Sequence, residues 1–500
     1  MALGEIVHET NSEAETRKLG ADISLTLKQG DMIALSGELG AGKSAFARGL
    51  IAHLLQDKTQ EIASPTYTLC NVYQTEPAIA HFDLYRLSDP QELDELGLDE
   101  ALETGCAIVE WPEKAFETMP LNAVHVEITE LGETARKFRM SGNADLLGRI
   151  GRSIKIRDLL VSSGFGNAAR SPLDGDASSR RYETLFVEGK PELLVMDAPE
   201  TPDGPPVKDG KPYSKIAHLA ENVSAFVAID QVLRSKGFVA PNIPAMDMEA
   251  GILVVENLGS GKIIDEARQP IEERYQASAE FLADLHAHAF ERQISLPDGI
   301  SYTIPEYDHD ALMIEVELLL EWYIQAFARE ALKPEQRDGF FQIWTTLFRY
   351  LDSQQKTLVL RDFHSPNIIW RDQQTGTGRI GVIDFQDAVM GPCAYDVASL
   401  AQDARIDVSE MLETSLCEKY IAIRTQNDAK FDAEGFNESY AIMAAQRATK
   451  ILGIFCRLNE RDDKPQYLAH IPRMRDYLKR SLKHPVLGEY SNWLKTVIDL

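Results

Sequence analysis

The residues with the clearest chemical pattern form a glycine-rich loop between an apolar run and a helix-like segment. The loop reads Gly37-Glu38-Leu39-Gly40-Ala41-Gly42-Lys43-Ser44, after residues 32–35 and before residues 45–55. Glycines let such a loop curl so that its backbone N–H groups and the next helix face phosphate oxygens. In this spacing Lys43 reaches the β- and γ-phosphates, and Ser44 is a ligand of Mg²⁺. The pattern predicts a P-loop that binds ATP or GTP; the alternative is a turn that binds nothing.

Two strand-like runs that follow the loop each end in a carboxylate. Residues 79–83 end at Asp83, and residues 107–110 end at Glu110. A carboxylate at the C-terminal end of a parallel strand faces the phosphate loop of an α/β sheet. Asp83 and Glu110 are therefore candidates for holding the metal and for catalysis, although each acid alone is equally explained as a solvated strand end or a helix cap.

A second set of polar residues lies far downstream. A strand-like run, residues 357–360, precedes Arg361-Asp362-Phe363-His364-Ser365-Pro366-Asn367, and a second run ends at Asp384-Phe385. This order is the catalytic-loop pattern of protein-kinase-like phosphotransferases. It makes Asp362 the candidate base for a substrate hydroxyl, and Asn367 and Asp384 the candidate Mg²⁺ ligands. The alternative is a β-turn followed by an exposed strand end.

Composition limits the class of protein. The chain has 500 residues, 44% apolar and 26% charged, as in globular proteins of several compact units. No apolar run reaches membrane-spanning length, and the first residues lack the pattern of a signal peptide. Five scattered cysteines fit a reducing cytoplasm. A net charge of −27 argues against direct, non-specific binding to nucleic acid. The amphipathic segments 312–327 and 342–351 have no basic face, which argues against contact with a membrane.

Several strings in the first part of the chain resemble the TsaE-type ATPase family. They are the P-loop, Ser64-Pro65-Thr66-Tyr67-Thr68, His81-Phe82-Asp83-Leu84-Tyr85-Arg86-Leu87 and Glu110-Trp111-Pro112-Glu113, within about the first 145 residues. That family serves the machinery that places threonylcarbamoyl on adenosine 37 of tRNA, and it works with partner proteins of the TsaB and TsaD type. The resemblance implies that Thr66 belongs to a switch segment near the γ-phosphate. It also implies that Asp83 and Glu110 serve the metal and the attacking water, and that Trp111 and Arg136 lie at the nucleotide.

The rest of the chain, from about residue 157 to about residue 480, resembles the aminoglycoside phosphotransferase group of small-molecule kinases. Within that group it is similar to amino-sugar kinases of the AmgK type. The strings are Gly175-Asp176-Ala177-Ser178-Ser179-Arg180-Arg181-Tyr182, Val195-Met196-Asp197-Ala198-Pro199 and Asp384-Phe385-Gln386-Asp387-Ala388. Those kinases phosphorylate the anomeric hydroxyl of N-acetylmuramate and N-acetylglucosamine in cell-wall sugar recycling. The resemblance implies ATP and Mg²⁺ as cofactors and an amino sugar as the substrate.

The nucleotide pocket of this second domain departs from the general kinase pattern. The strand-like residues 193–197 lack the expected lysine, so Arg180, Arg181 or Lys215 must supply that charge. The loop that contains Ser178 and Ser179 is expected to cover the phosphates with backbone N–H groups. In residues 253–259, read as a strand and hinge, the backbone from Glu256 to Leu258 is expected to bind the adenine edge; a plain buried strand and turn is the alternative.

The sequence predicts a bifunctional cytoplasmic protein with an α/β fold. Residues 1–148 form a TsaE-like P-loop ATPase domain with a parallel sheet. Residues 149–500 form a bilobed α+β kinase domain of the aminoglycoside phosphotransferase type, with an N-lobe at about 157–258 and a C-lobe at about 259–490. Three alternatives remain: a C-terminal pseudokinase that regulates the ATPase, a kinase for choline or an aminoglycoside, and an N-terminal NTPase unrelated to tRNA.

Overall fold

The computed structural model describes residues 4–55, 62–90, 92–173, 180–327 and 331–498. The chain divides into two compact units, Met1–Val195 and Met196–Leu500. Strand β10 (Leu193–Asp197) crosses this division, and helix α5 (Ala144–Ser162) spans the boundary predicted after residue 148. The predicted limits of the domains and lobes stay predictions.

The first unit begins with a sheet and its covering helices. Its strands are β1 (Ile6–Thr10), β2 (Met32–Ser36), β3 (Cys70–Tyr73), β4 (Ala78–Asp83), β5 (Gly105–Glu110), β6 (Val124–Glu130), β7 (Arg136–Gly142), β8 (Ala169–Leu173) and β9 (Arg181–Phe186). Its helices are α1 (Glu13–Ser24), α2 (Lys43–Leu55), α3 (Glu92–Glu95), α4 (Leu98–Thr104) and α5.

Strand β2 is the centre of a seven-stranded sheet with the order β1-β7-β6-β2-β5-β4-β3. The neighbouring pairs β6–β2, β2–β5 and β5–β4 are parallel, and the outer pairs are antiparallel. A strand buried on both faces reads as a continuous apolar run, and residues 32–35 have this pattern and are fully buried. The register pairs Glu110 with both Asp83 and Leu35, so the two predicted acids lie side by side at one end of the sheet. The predicted parallel α/β sheet of this domain is confirmed.

Helix α5 is tied to helix α1 by a buried ionic cluster. Arg157 on α5 donates two hydrogen bonds to the carboxylate of Asp22 on α1, at 2.6 and 2.7 Å. Arg170 on β8 lies 3.3 Å from the same carboxylate and bonds Glu183 on β9 at 2.6 Å. Removing one member of a buried ionic cluster leaves an uncompensated charge, so each member depends on the others. Strands β8 and β9 are thereby connected to the sheet domain through α5.

The second unit is mostly helical. Its strands are β11 (Pro206–Lys208), β12 (Lys211–Pro212), β13 (Ala245–Asp247), β14 (Ile252–Glu256), β15 (Gln293–Ser295), β16 (Ser301–Thr303), β17 (Lys356–Val359), β18 (Ile368–Trp370), β19 (Ile380–Val382) and β20 (Val389–Pro392). Its helices are α6 (Tyr213–Ile216), α7 (Val223–Ser235), α8 (Glu272–Leu285), α9 (His309–Leu318), α10 (Ile324–Phe327), α11 (Pro334–Asp352), α12 (Ala394–Ala401), α13 (Glu410–Asn427), α14 (Ala433–Asp462), α15 (Ile471–Ser481) and α16 (Gly488–Val497).

Helix α14, with 30 residues, is the core helix of this unit and packs against α9, α12 and α15. The segment between strands β17 and β18 carries Asp362 and Asn367, and the hairpin of β18 and β19 leads to Asp384. Strand β17 pairs with β20, which leads into α12. The predicted strand–loop–hairpin arrangement around these polar residues is therefore present. Within the described residues, no helix has both the length and the apolar composition that crossing a membrane requires.

Candidate functional site

The P-loop turns on three glycines with positive φ angles. Gly37, Gly40 and Gly42 have φ values of 138°, 88° and 110°, a region that favours glycine over other residues. A Cβ atom on Gly37 would lie 2.4 Å from the carbonyl oxygen of Ile128, so this turn also needs the missing side chain. The loop ends at the N-terminus of helix α2, where free N–H groups favour anions.

Lys43 folds back over this loop. Its Nζ donates to the carbonyl oxygens of Gly37 at 2.7 Å and Glu38 at 2.9 Å, and it lies 3.6 Å from the centroid of the Trp111 ring. Burial lowers the pKa of Lys43, while the carboxylates of Glu110 and Asp83 oppose that effect. A lysine that is held by loop carbonyls and by an aromatic face is placed to turn toward a phosphate.

Three predicted metal ligands and the predicted switch residue Thr66 form two hydrogen-bonded pairs at the end of the sheet. Ser44 Oγ donates to Glu110 Oε2 at 2.9 Å, and Thr66 Oγ1 donates to Asp83 Oδ2 at 2.7 Å. Both carboxylates are almost fully buried. The fold therefore brings together four predicted residues from separate parts of the sequence: Ser44, Thr66, Asp83 and Glu110.

Two further residues complete this arrangement, and the sequence did not single them out as functional. His81 Nε2 lies 2.9 Å from Glu110 Oε1, and Ser64 Oγ donates to Asp83 Oδ2 at 2.7 Å. Both residues lie in segments that resemble the TsaE family, residues 64–68 and 81–87. The alternation of β4 puts His81 on the same side as Asp83, which was the available signal.

Trp111 and Arg136 also lie at the loop. Trp111 adopts a left-handed conformation with φ 61° and contacts Tyr85, with 5.1 Å between ring centroids. Arg136 Nε donates to the carbonyl of Ala41 at 2.9 Å, and the Arg136 side chain lies 3.8 Å from the position of a Cβ on Gly42. The backbone of the P-loop is therefore braced by an arginine from β7.

The first site offers the oxygen ligands that Mg²⁺ prefers. One hydroxyl and two buried carboxylates converge beside the phosphate loop, and Mg²⁺ commonly takes one or two carboxylates together with substrate phosphates. Within the described ranges, no group of three His, Cys, Asp or Glu side chains could hold a metal by itself.

In the second unit, the catalytic loop is fixed by Asp396, the third residue of helix α12. Its two carboxylate oxygens accept from the backbone N–H groups of Leu360 and Arg361, at 2.7 and 2.9 Å. Asp403 accepts from the N–H of Ser365 at 2.8 Å. Arg361 has a φ of 67°, a conformation that is held only when the surroundings determine it. These bonds hold the backbone on both sides of Asp362.

Asn367 and Asp384 meet as the sequence predicted. Asn367 Nδ2 donates to the backbone carbonyl of Asp362 at 2.9 Å and lies 3.4 Å from Asp384 Oδ2. Gln386 Nε2 donates to Asp384 Oδ1 at 3.1 Å. Asp384 itself has a φ of 59°. The amide and carboxylate oxygens of this pair fit an Mg²⁺ ion that is shared with phosphates.

Asp362 is a half-buried carboxylate in positive surroundings. Burial alone would raise the pKa of Asp362, but His364, Lys450, Arg447 and Arg361 together lower it below its ordinary value. The side chain therefore stays ionised at neutral pH. An ionised carboxylate can orient a substrate hydroxyl and accept its proton.

Two of these cations, Lys450 and Arg361, share the carboxylate of Glu315 of helix α9, which is fully buried. It pairs with Arg361, accepts from Lys450 at 2.7 Å and from Gln446 at 2.8 Å, and bonds the hydroxyl of Tyr307. Burial favours the neutral form, but the charges of Lys450 and Arg361 lower the pKa of Glu315 to about 2. Nothing in the sequence marked this acid, because it lies inside an apolar helix far from the catalytic loop.

Glu315→Gln is expected to lower the free energy of unfolding of the intact protein by about 3–5 kcal/mol at pH 7, because it leaves Lys450 and Arg361 without their carboxylate. The Glu315 carboxyl has a folded pKa of about 2 against an ordinary 4.5. Its contribution is thus present above pH 4.5 and is lost as the pH falls toward 2. Denaturant unfolding at several pH values measures this effect.

Glu317→Gln on the same helix is the matched control for that measurement. Burial raises the pKa of Glu317 and outweighs the attraction of Lys208 and Arg337, so neutralising it removes no net favourable interaction and should not destabilise the protein at pH 7. Equal losses of stability in both variants would contradict the role assigned to Glu315.

The predicted nucleotide residues of the second domain are only partly described. Ser178 and Ser179 lie outside the described residues, and Arg181 begins β9 with an exposed side chain. Arg180 is half-buried, whereas Lys215 pairs with Asp203 at 2.6 Å on the surface.

The predicted hinge follows strand β14. The N–H of Glu256 donates to the carbonyl of Asn242 at 2.8 Å, so this amide is already engaged. Leu258 packs against Gly381 of the hairpin, where a Cβ would lie 3.0 Å from Leu258 Cδ1. The adenine contact assigned to Glu256 and Leu258 stays a prediction.

Two family models match the chain in separate regions. One is described as Threonylcarbamoyl adenosine biosynthesis protein TsaE and matches residues 10–138. The other is described as Phosphotransferase enzyme family and matches residues 170–431. Neither model matches residues 139–169, which include helix α5.

Individual relatives divide in the same way. An N-acetylmuramate/N-acetylglucosamine kinase of Caulobacter vibrioides is 33% identical over 364 residues, which cover 68% of this chain and 95% of the relative. A kinase of the same name from Neisseria meningitidis is 33% identical over 309 residues, which cover 61% of this chain and 83% of the relative. A tRNA threonylcarbamoyladenosine biosynthesis protein TsaE of Rickettsia felis is 42% identical over 123 residues, which cover 24% of this chain and 71% of the relative.

Proposed function

We propose that this chain, which belongs to the TsaE family over residues 10–138 and to the phosphotransferase enzyme family over residues 170–431, does two different kinds of chemistry with ATP. Both parts are enzymes, an ATPase and a kinase. The predicted fold class, a P-loop α/β domain followed by an aminoglycoside-phosphotransferase-like domain, is confirmed. What we propose beyond these assignments is the identity of the substrates and of the partner proteins.

The second domain transfers the γ-phosphoryl group of ATP to the anomeric hydroxyl of N-acetylmuramate or N-acetylglucosamine. The observation that carries this function is the half-buried, ionised Asp362 beside the Asn367–Asp384 pair. Asp362 orients the sugar hydroxyl and accepts its proton. An anomeric hydroxyl is more acidic than an ordinary alcohol, so one carboxylate base is enough. Asn367 and Asp384 would hold Mg²⁺, which neutralises charge on the phosphates when it is bound. The names of the relatives support this choice of sugar.

The first domain hydrolyses ATP in support of tRNA threonylcarbamoylation. Lys43 and the P-loop amides would hold the phosphates, and Ser44 with Asp83 and Glu110 would hold Mg²⁺ and orient the attacking water. Thr66 donates a hydrogen bond to Asp83 and thereby connects the predicted switch segment to the proposed metal ligands. The proposed partners are proteins of the TsaB and TsaD type, and the proposed compartment is the cytoplasm. Direct binding to nucleic acid or to a membrane is not part of the proposal.

A panel of acceptors tests the kinase function. The intact protein, incubated with Mg-ATP, is expected to phosphorylate N-acetylmuramate and N-acetylglucosamine, and to leave choline and an aminoglycoside unmodified. Product formation is measured by mass spectrometry. Phosphorylation of choline or of the aminoglycoside, with neither amino sugar modified, would refute the proposed substrate class.

Binding to partner proteins tests the role of the first domain. The intact chain is expected to form a complex with purified TsaB- and TsaD-type proteins, as measured by size-exclusion chromatography with light scattering. It should also support threonylcarbamoylation of tRNA in their presence. If the chain bound neither protein, the first domain would be an NTPase with a role other than tRNA modification.

A further inference from the structure

Arg447 of helix α14 is a buried cation that forms no ion pair with any acid among the described residues. The residue is 5% exposed, and its buried Nε makes no hydrogen bond. Lys450, one turn further along the helix, is paired with Glu315 at 2.7 Å, and Arg361 shares the same carboxylate. The one buried acid of this cluster is therefore already shared by two cations. Burying a guanidinium is costly unless an anion or hydrogen-bond acceptors compensate it.

Arg447 lies near the proposed catalytic base, Asp362. Its Cζ lies 5.9 Å from the centroid of the Tyr395 ring, and the next residue, Asp396, holds the backbone at Leu360 and Arg361. Its charge also acts on Asp362. Arg447 is thus near the proposed base, and the acceptor hydroxyl must lie at that base.

We propose that the Arg447 guanidinium binds the carboxylate of the acceptor sugar and so gives the kinase a preference for N-acetylmuramate over N-acetylglucosamine. The two sugars differ by a lactyl ether, which carries a carboxylate at neutral pH. The planar guanidinium presents paired N–H groups that match a carboxylate, and such charge-assisted hydrogen bonds are the strong ones. This inference rests on the proposed amino-sugar kinase function.

The test compares both sugars with the intact protein and its Arg447→Gln variant. The ratio of kcat/KM for N-acetylmuramate to kcat/KM for N-acetylglucosamine is expected to fall by about tenfold to hundredfold, the usual worth of a hydrogen bond to a charged group. The loss should lie mainly in KM for N-acetylmuramate. Any general effect of the variant on Asp362 or on folding acts on both sugars and cancels in the ratio.

Two further variants sharpen the result. Arg447→Lys keeps the charge but loses the planar fork, so the ratio should fall less than in Arg447→Gln. Arg457→Gln is the matched control, because Arg457 lies on the same helix, 5.1 Å from the Tyr213 ring, and also has an unbonded Nε. Its ratio should equal that of the wild type.

The outcomes separate the inference from the function on which it rests. If Arg447→Gln lowered the activity on both sugars equally, Arg447 would serve the phosphoryl group or the fold, and the inference would be overturned while the kinase function stood. If the wild-type protein phosphorylated neither sugar, the proposed function would fail first and the inference would fall with it. A selective loss on N-acetylmuramate would establish the contact.

Discussion

Asp362→Asn is expected to lower kcat for sugar phosphorylation by about 10²–10⁴-fold, the usual contribution of a general base. The amide has nearly the same shape but cannot accept the proton of the anomeric hydroxyl. Asn367 donates to the backbone carbonyl of Asp362, and Asp396 holds the preceding residues, so the loop itself does not depend on the Asp362 side chain. Steady-state kinetics with both amino sugars measures the loss, and circular dichroism checks the fold.

The matched control is Asp372→Asn. Asp372 lies between β18 and β19, its side chain is exposed, and it bonds Trp370 and lies near Arg274 rather than at the catalytic loop. This variant should keep wild-type kcat. Unchanged sugar phosphorylation in Asp362→Asn would mean that the second domain is not the kinase. A wild-type protein that bound ATP but phosphorylated no small molecule would favour the pseudokinase, an alternative that the absence of a lysine from β10 keeps open.

Lys43→Ala is expected to lower ATP hydrolysis by the first domain by about 10²–10³-fold, the loss typical of removing one preorganised charge or donor from a transition state. Arg136, a second cation at the P-loop, donates to the carbonyls of Ala41 and Gly40, so it is not expected to replace Lys43. The assay follows phosphate release without sugar and with the partner proteins present. The same variant is expected to phosphorylate sugar at the wild-type rate.

Lys155→Ala is the control for this second prediction. Lys155 is an exposed lysine on helix α5, remote in sequence from both nucleotide sites. It should change neither activity. If Lys43→Ala abolished sugar phosphorylation as well, the two sites would not work independently.

The two catalytic patterns were predictable because each depends on local sequence. Glycines with positive φ, a lysine and a serine at fixed spacing define the P-loop, and the ends of parallel strands bring Asp83 beside Glu110. Asp362 and Asn367 lie on one short loop, and a hairpin of three-residue strands returns the chain to Asp384. The residues of the second site are close together along the chain, and in the first site the pairing of parallel strands determines which residues are neighbours.

The residues that sequence reasoning missed are brought in by tertiary packing. Glu315 pairs with Arg361 of the catalytic loop from a helix that begins at residue 309, and the charge of Arg447 acts on Asp362 from a helix that begins at residue 433. Their helices read as ordinary amphipathic segments, in which a buried charge looks like a solvent-facing one. The Asp22–Arg157–Arg170 cluster is of the same kind, since no local pattern joins an acid on α1 to arginines on α5 and β8.

The position of phosphate on the sugar tests the central claim most directly. The intact protein, Mg-ATP and N-acetylmuramate are incubated together, and the product is examined by ³¹P and ¹H nuclear magnetic resonance. We expect a single phosphate that couples to the anomeric proton, formed by the wild type and by Lys43→Ala at similar rates and not by Asp362→Asn. A phosphate on any other oxygen, or no sugar phosphate at all, would contradict the assignment of the second domain as an anomeric amino-sugar kinase.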